Sequence, residues 1–416
     1  MRILRAFSAV LLAGSGLIPV HAQPPLIPVA LPTPPGYNYR YKVIVQSYGP
    51  FRTKQGDKTV QAFLQYALSE NGTVAFLAQF DAPAEDRGRV ALLLNDGTIV
   101  AESEAKFNGR WIKRFRDILG FGTGGTLYFV AESTASKDSK LQPDTTFFGT
   151  DGTAFVPTGT VIGGCTLNMP PNSTQWAFSP TKNDFAFVSP SESRSQPRAV
   201  CGSGYFTRAQ MLTRPQQVIS GLTPNFPKSA RYRDQLYYLA NAGINNALHL
   251  FSQQREIAKM PAGLRGYDVS PNGNILLAYE AGIVPLVNHN PSYDLGNPIV
   301  PDKSIIDDYR VTEFADPLQT AAGIFFRARF DYQRPPGKEH QNSPLPNAES
   351  LHNGVDVFTK GGPVFPVLQE AMAPWRLHLA LNVTPYFAND AGQVLGEMVI
   401  GLRYALILAT PGVTKQ

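Results

Sequence analysis

Trp375, Arg376 and His378 are the most chemically loaded neighbours in the 416-residue sequence. An imidazole titrates near neutral pH, an indole face stacks on a sugar, and a guanidinium grips a carboxylate. Arg265 and Tyr267 repeat the two-residue spacing of Arg376 and His378. Residues i and i+2 share one face of a strand, so such pairs can aim together. On a uronate polymer, an arginine would neutralise the carboxylate and acidify the neighbouring proton, with His378 or Tyr267 as the base. That is polysaccharide lyase chemistry. A glycoside hydrolase would instead need two facing carboxylates about 5–10 Å apart, and no pair recommends itself.

Further arginines fall at equivalent points, where the chain enters an aromatic-rich hairpin. These are Arg114 and Arg116, Arg231 and Arg233, and Arg310, in step with Arg265 and Arg376; Gln61 and Gln175 hold the two remaining places. Five arginine-bearing units around one opening would form a positive funnel suited to carboxylate, sulfate or phosphate. The competing expectation is that these side chains pair with nearby acids such as Asp117, Asp234 and Asp268.

The sharp catalytic motifs are missing. No Gly-x-Ser-x-Gly elbow, His-Glu-x-x-His, Cys-x-x-Cys or Gly-x-x-x-x-Gly-Lys occurs. Ser179-Pro180-Thr181-Lys182 matches Ser-x-x-Lys but spans a hairpin turn rather than a helix. His249, in Leu248-His249-Leu250, reads as structural, and His289 carries no signal. His340 and His352 share a long loop with Glu339 and Glu349, a set that suits a divalent metal. Solvated loop residues are the simpler expectation there, and no cofactor is indicated.

The elements that must position these residues repeat. Residues 62–68 lead into Ser69-Glu70-Asn71-Gly72 and then 73–80; 90–94 lead into Asn95-Asp96-Gly97 and then 98–102. Asn-Gly and Asp-Gly are strong two-residue hairpin signals, because both positions accept positive φ. The second strand returns near 126–131, 184–188, 235–240, 274–280, 322–330 and 393–400. This gives seven units of roughly 56 residues, the fifth (near 283–306) being the least regular. A four-stranded antiparallel unit repeated seven times predicts an all-β fold, a seven-bladed β-propeller. The last unit stops after three strands, at 404–409, and an orphan strand at 41–48 would join it and close the ring. A pair of β-sandwiches is the rival architecture, and it leaves the period unexplained. Long connections at 81–89, 132–144, 163–175, 189–204 and 331–354 fall on one rim, where function concentrates.

The stretch Ser-Glu-Asn-Gly-Thr-Val-Ala-Phe at 69–76 and Asn-Asp-Ala-Gly-Gln-Val at 389–394 resemble the blade repeats of secreted bacterial β-propellers. Ser270-Pro271-Asn272-Gly273 is similar to the turn of Tol-system and WD-repeat-like blades. The resemblance implies the propeller fold and export. Such families bind or cleave many different things, so it implies no activity.

Composition and termini agree with that outline. Charged residues are 17% and hydrophobic residues 43%, with 36 Gly, 35 Pro, 25 Phe and 17 Tyr, a mixture of turn formers and β-formers that excludes wholesale disorder. Arg2 and Arg5, an apolar stretch from Ala6 to Val20 and the exit Val20-His21-Ala22 predict a signal peptide over 1–22. A Pro-rich spacer over 23–38 is expected to stay out of the core, ahead of a single domain over 39–412. Cleavage removes two arginines and no acids, lowering the net charge from +5 to +3. No basic run suggests nucleic acid, and no later segment suggests a membrane span. Cys165 and Cys201 are the only cysteines and in an exported chain predict one disulfide, tying two loops of the decorated rim. The expected protein is secreted or periplasmic and binds an extracellular anionic glycan, or a protein partner, on that rim. The alternative is the lyase, or less readily the hydrolase, at the channel mouth.

Overall fold

Short runs of Val, Ile, Phe and Tyr between Gly, Asn and Asp turns make strands, and strands are nearly all that the described residues form. The computed structural model describes residues 26–31, 38–81, 89–170, 175–193, 201–213, 218–224, 229–253, 255–279, 282–288, 293–301, 305–306, 309–332, 352–358, 364–369, 386–400 and 403–412. Among them the one helical element is the 3-10 turn Thr123–Gly125. Every other regular element lies in one of eight antiparallel sheets.

The first sheet runs Gly49–Thr53, Gly56–Leu68, Val74–Phe80, Val90–Leu94, Ile99–Glu102. The second runs Lys106–Phe107, Arg110–Phe121, Leu127–Thr134, Asp144–Gly149, Ala154–Phe155. The third has Trp176–Ser179, Asp184–Ser189 and Gly204–Phe206, with Phe206 bridged to Met211. The fourth has Ser229–Tyr232, Leu236–Ala242, Ala247–Ser252 and Glu256–Lys259. The fifth has Gly266–Val269, Ile275–Tyr279, Gly282–Asn288 and Tyr293–Leu295, with Val300–Pro301 also against Gly282–Asn288. The sixth has Ile305–Ile306, Tyr309–Thr320, Gly323–Tyr332, His352–Phe358 and Val364–Gln369. The seventh joins the two ends of the chain: Tyr386–Ala388, Val394–Ile400 and Arg403–Pro411, then Tyr39–Gln46 and Ala30–Leu31. Across that junction Tyr41 lies opposite Ala409 and Val43 opposite Ile407.

Apolar side chains fill the space between successive sheets. Leu77 and Leu92 meet Ile112 and Phe129, Phe147 stacks on Phe185 at 4.1 Å between ring centres, and Tyr205 meets Tyr238 and Phe251. Tyr237 and Leu250 meet Tyr267 and Leu277, Leu276 and Ile283 meet Phe314 and Phe326, and Phe325 and Val367 meet Val394 and Ile407. Leu395, Leu406 and Val45 of the seventh sheet pack on Phe63 and Phe76 of the first. Both faces of these sheets are covered, which is why strands such as Leu127-Tyr128-Phe129-Val130 show no polar alternation.

One turn recurs along one edge. At 69–73 the Ser69 amide donates to the Thr73 carbonyl at 2.9 Å, Ser69 Oγ accepts the Thr73 amide at 2.8 Å, and Gly72 sits at φ 83°. The same arrangement holds at 270–274 and 389–393, with Gly273 at φ 80° and Gly392 at φ 75°. A side-chain oxygen at the first position and a left-handed fourth position are what this turn demands. Neighbouring sheets are hydrogen-bonded at or near these turns. Thr123 N donates to Pro180 O (3.2 Å), Ser179 Oγ to Arg233 O (3.0 Å), and Arg233 Nε to Val269 O (2.9 Å). Gln319 N donates to Asp268 Oδ2 (2.8 Å), Ala321 N to Asp390 Oδ1 (2.7 Å), and Asn389 Nδ2 to Ser69 O (2.9 Å). Gln65 Nε2 to Arg116 O, at 2.9 Å, links the first sheet to the second. The opposite ends of the strands, where the chain leaves Val74–Phe80, Leu127–Thr134, Asp184–Ser189 and Leu236–Ala242, make the loop-rich edge.

Three details differ from the sequence expectation. Several sheets carry a fifth strand and the third is shorter than four. The spacer over 23–38 does not stay out of the core: Ile27 and Leu31 are buried, and Ala30 pairs with Lys42. Gln46 fixes it, accepting the Ile27 amide at 2.8 Å and donating to the Ile27 carbonyl at 3.0 Å. The outer edge of Tyr39–Gln46 has unpaired backbone groups, and the spacer covers them. Third, an eighth, three-stranded sheet (Val161–Ile162, Cys165–Leu167, Ser191–Glu192) sits at the loop-rich edge.

That small sheet is tied by the Cys165–Cys201 disulfide, with sulfurs 1.99 Å apart and Cα atoms 5.6 Å apart. The bridge closes 36 residues, worth about 3–4 kcal/mol by loop-closure entropy. Reductant is therefore expected to lower the thermal midpoint, and equal midpoints with and without it would show the bridge to be energetically idle.

Candidate functional site

The inner strands enter from the loop-rich edge, and their arginines were the expected funnel. In Arg110–Phe121 the register shifts between Phe115 and Asp117, which face Ala131 and Val130, and leaves Arg116 in the bulge. Arg114 stays exposed opposite Glu132, whereas the Arg116 guanidinium makes an ion pair with the Glu132 carboxylate. Arg114 is left exposed while the carboxylate across from it meets the charge of Arg116, because a bulge re-aims the side chain it carries. Asp117, proposed as an arginine partner, accepts the Trp176 indole N–H at 2.8 Å.

The fourth and fifth sheets share one carboxylate. Asp268 is buried, with Arg231 Nε 3.9 Å and Arg233 Nη2 3.5 Å from its Oδ1. Arg231 also lies over the Tyr267 ring, 5.4 Å from its centre. The fifth and sixth sheets repeat the pattern: Arg265 pairs with Glu313, and Arg329 Nη1 lies 3.7 Å from the same carboxylate. Arg265, Arg329 and Glu313 are each partly exposed, and Arg327 pairs with Asp316 at 3.2 Å. At Asp268 two guanidiniums meet one carboxylate, leaving a positive excess that a solute anion can complete. A bare arginine funnel is thus replaced by arginine–carboxylate clusters.

Tyr267 does not face an opening. It is 2% exposed, its hydroxyl lies 3.4 Å from the Ser229 and Tyr237 carbonyls, and burial pushes its pKa up to about 12. A phenol held protonated inside an interface is a poor base at neutral pH. His249 is likewise structural, its Nδ1 2.6 Å from Glu256 Oε1 on the adjacent strand. Arg310 belongs to Tyr309–Thr320, opposite Ile305 and Asp331, but its side chain lies outside the described residues. Trp375, Arg376 and His378 lie wholly outside them, as do His289 and His340. Among the described residues no three His, Cys, Asp or Glu side chains converge as metal ligands.

Sequence reasoning missed Glu313, Arg329 and Trp176. The signal was present for the first two: Arg327 and Arg329 alternate along one strand, and Glu313 stands opposite Arg329 on the next.

No known protein family matches the chain, and no curated protein does. The solved structures to which it is similar include the Dos1 propeller, at 9% identity and TM-score 0.37, over 71% of this chain and 74% of that one. They also include a virginiamycin B lyase from Staphylococcus aureus, at 10% identity and TM-score 0.37, over 89% of this chain and 99% of that one. A putative gluconolactonase matches at 10% identity and TM-score 0.25, over 89% of this chain and 92% of that one. Likenesses at these TM-scores carry no argument about fold or chemistry.

Proposed function

We propose that the chain is a seven-bladed β-propeller, closed by Tyr39–Gln46 in the seventh sheet. We further propose that it works as a secreted or periplasmic binding module for an anionic extracellular polymer, with an acidic polysaccharide as the ligand class. Closure is supported by the apolar contacts and hydrogen bonds that run from each sheet to the next and from the seventh to the first. Export is supported by the leader-like residues 1–22 and by a disulfide, which suits an oxidising compartment.

The observation that carries the ligand class is the pairing of two guanidiniums, those of Arg231 and Arg233, with the one carboxylate of Asp268. A uronate carboxylate or a sulfate arriving there gains charge-assisted hydrogen bonds without leaving an unpaired cation behind. Burial of Tyr267 favours binding over lyase chemistry. The test is retention on immobilised polygalacturonate. Arg231→Glu combined with Arg265→Glu is expected to weaken retention about a hundredfold or more, at about 1.5 kcal/mol per charged contact. Unchanged retention overturns the ligand class, and unsaturated product from the wild type would make the protein an enzyme.

A further inference from the structure

The strand Arg110–Phe121 shifts register three times against Leu127–Thr134, and the shifts leave Lys113, Arg116 and Leu119 as the extra residues. Each face of the strand therefore takes every third residue instead of every second. Ile112, Phe115 and Ile118 are buried together against the first sheet. Trp111, Arg114 and Asp117 fall on the other face, towards the third sheet, where Asp117 accepts the Trp176 indole N–H. Without the bulge at Lys113, Trp111 and Arg114 would stand on opposite faces. With it they lie opposite Thr134 and Glu132, about 7 Å apart along the strand.

The connection that follows Thr134 is tied back to this end of the strand. Lys113 Nζ donates to the Lys137 carbonyl at 3.0 Å and to Glu104 Oε2 at 2.9 Å, so one ammonium holds the chain on both sides of the hairpin. Lys137 Nζ then rests over the Trp111 ring, 5.8 Å from its centre. Lys137 and Arg114 are both exposed, and among the described residues neither meets a carboxylate. The nearby acids are already taken, Glu132 by Arg116 and Glu104 by Lys113. An indole and two cations without an acidic partner thus share the loop-rich end of the second sheet.

We infer that Trp111, Lys137 and Arg114 form a subsite for one uronate residue, its ring against the indole and its carboxylate between the ammonium and the guanidinium. The inference rests on the polymer reading and adds a second point of contact, on a different sheet from Asp268. A lysine ammonium on a flexible stem leaves an exposed π face for a carboxylate, because the charge-assisted hydrogen bond is the stronger contact. The indole face it uncovers is then open to the sugar ring. A neutral sugar offers nothing to the two cations, and a small inorganic anion offers nothing to the indole. Ring and charge together select the uronate. Lys113 is a positioning residue, holding the backbone of Lys137 beside Trp111.

Two measurements test this: retention on immobilised polygalacturonate, and tryptophan emission with soluble trigalacturonate. Lys137→Ala and Trp111→Ala are each expected to weaken retention about tenfold or more, and Lys137→Arg to recover most of the loss because the charge is kept. The Lys137 side chain is exposed, so its variants should melt as the wild type does, and lost retention cannot then be misfolding. Trigalacturonate is expected to shift the wild-type emission, and the shift should vanish in Trp111→Phe. If the wild type is retained and Lys137→Ala is retained equally, the subsite is overturned and the polymer reading stands. An emission shift that survives in Trp111→Phe overturns the subsite in the same way. A wild type that is not retained overturns both.

Discussion

A chain lacking residues 1–48 is expected to lose cooperative unfolding altogether. Tyr41, Val43, Ile44 and Val45 are all buried, and the deletion removes them together with the partner of Arg403–Pro411. At about 1.5–3 kcal/mol for each buried apolar side chain, the four account for roughly 6–12 kcal/mol. That is as large as the whole net stability of a typical domain, about 5–15 kcal/mol. The Tyr41 hydroxyl also donates to the Val367 carbonyl at 2.9 Å, so the sixth sheet loses an anchor. Circular dichroism on heating is the measurement. A sigmoidal melt at the full-length midpoint would show that the N-terminal strand is dispensable, and the proposed ring would fall with it.

The second large effect is expected from Arg403→Met. Arg403 is 1% exposed, and its Nη1 donates to the Ser47 and Tyr48 carbonyls, both at 2.6 Å. Those carbonyls sit just beyond Tyr39–Gln46, so the guanidinium holds the first crossing of the chain to the last strand. Methionine matches the length of the stem but has no donor. The buried Ser47 carbonyl and the partly buried Tyr48 carbonyl then lose this donor, at about 2–4 kcal/mol in all after the easier burial of a neutral side chain is allowed for. Arg403→Lys should recover part of the loss, because an ammonium still donates. Urea midpoints of the three proteins test this, and an unshifted midpoint for Arg403→Met would mean that water replaces the guanidinium.

What was legible in the sequence was what backbone conformation dictates. The turns at 69–73, 270–274 and 389–393 announce themselves because a left-handed position demands Gly and the opening position demands a side-chain oxygen. The cysteine pairing was legible from number alone. What was not legible was the aim of individual side chains. A bulge in Arg110–Phe121 adds a residue without altering composition, and it sends Arg116 to Glu132 while Arg114 faces solvent. Tyr309–Thr320 carries two more register shifts, on either side of Phe314. Tyr267 shares its spacing with Arg265, yet Arg265 precedes the strand that Gly266 begins, so the two residues do not follow one alternation. Pairings such as Arg265 with Glu313 join different sheets, and no local pattern encodes them. The spacer misled because proline content describes stiffness, whereas Ile27 and Leu31 are drawn in by an open strand edge.

The seventh sheet also sets a timetable. Synthesis delivers Tyr39–Gln46 hundreds of residues ahead of Arg403–Pro411, so the earlier strand must wait for the later one before its main-chain groups are matched. During that interval the nascent polypeptide carries a sticky ribbon, open to mispairing with whatever β-structure is nearby. Such distant partnering also slows maturation, since every strand between the two must be in hand before that pairing can occur. The organism making this protein has reason to shield that segment until its partner strand arrives.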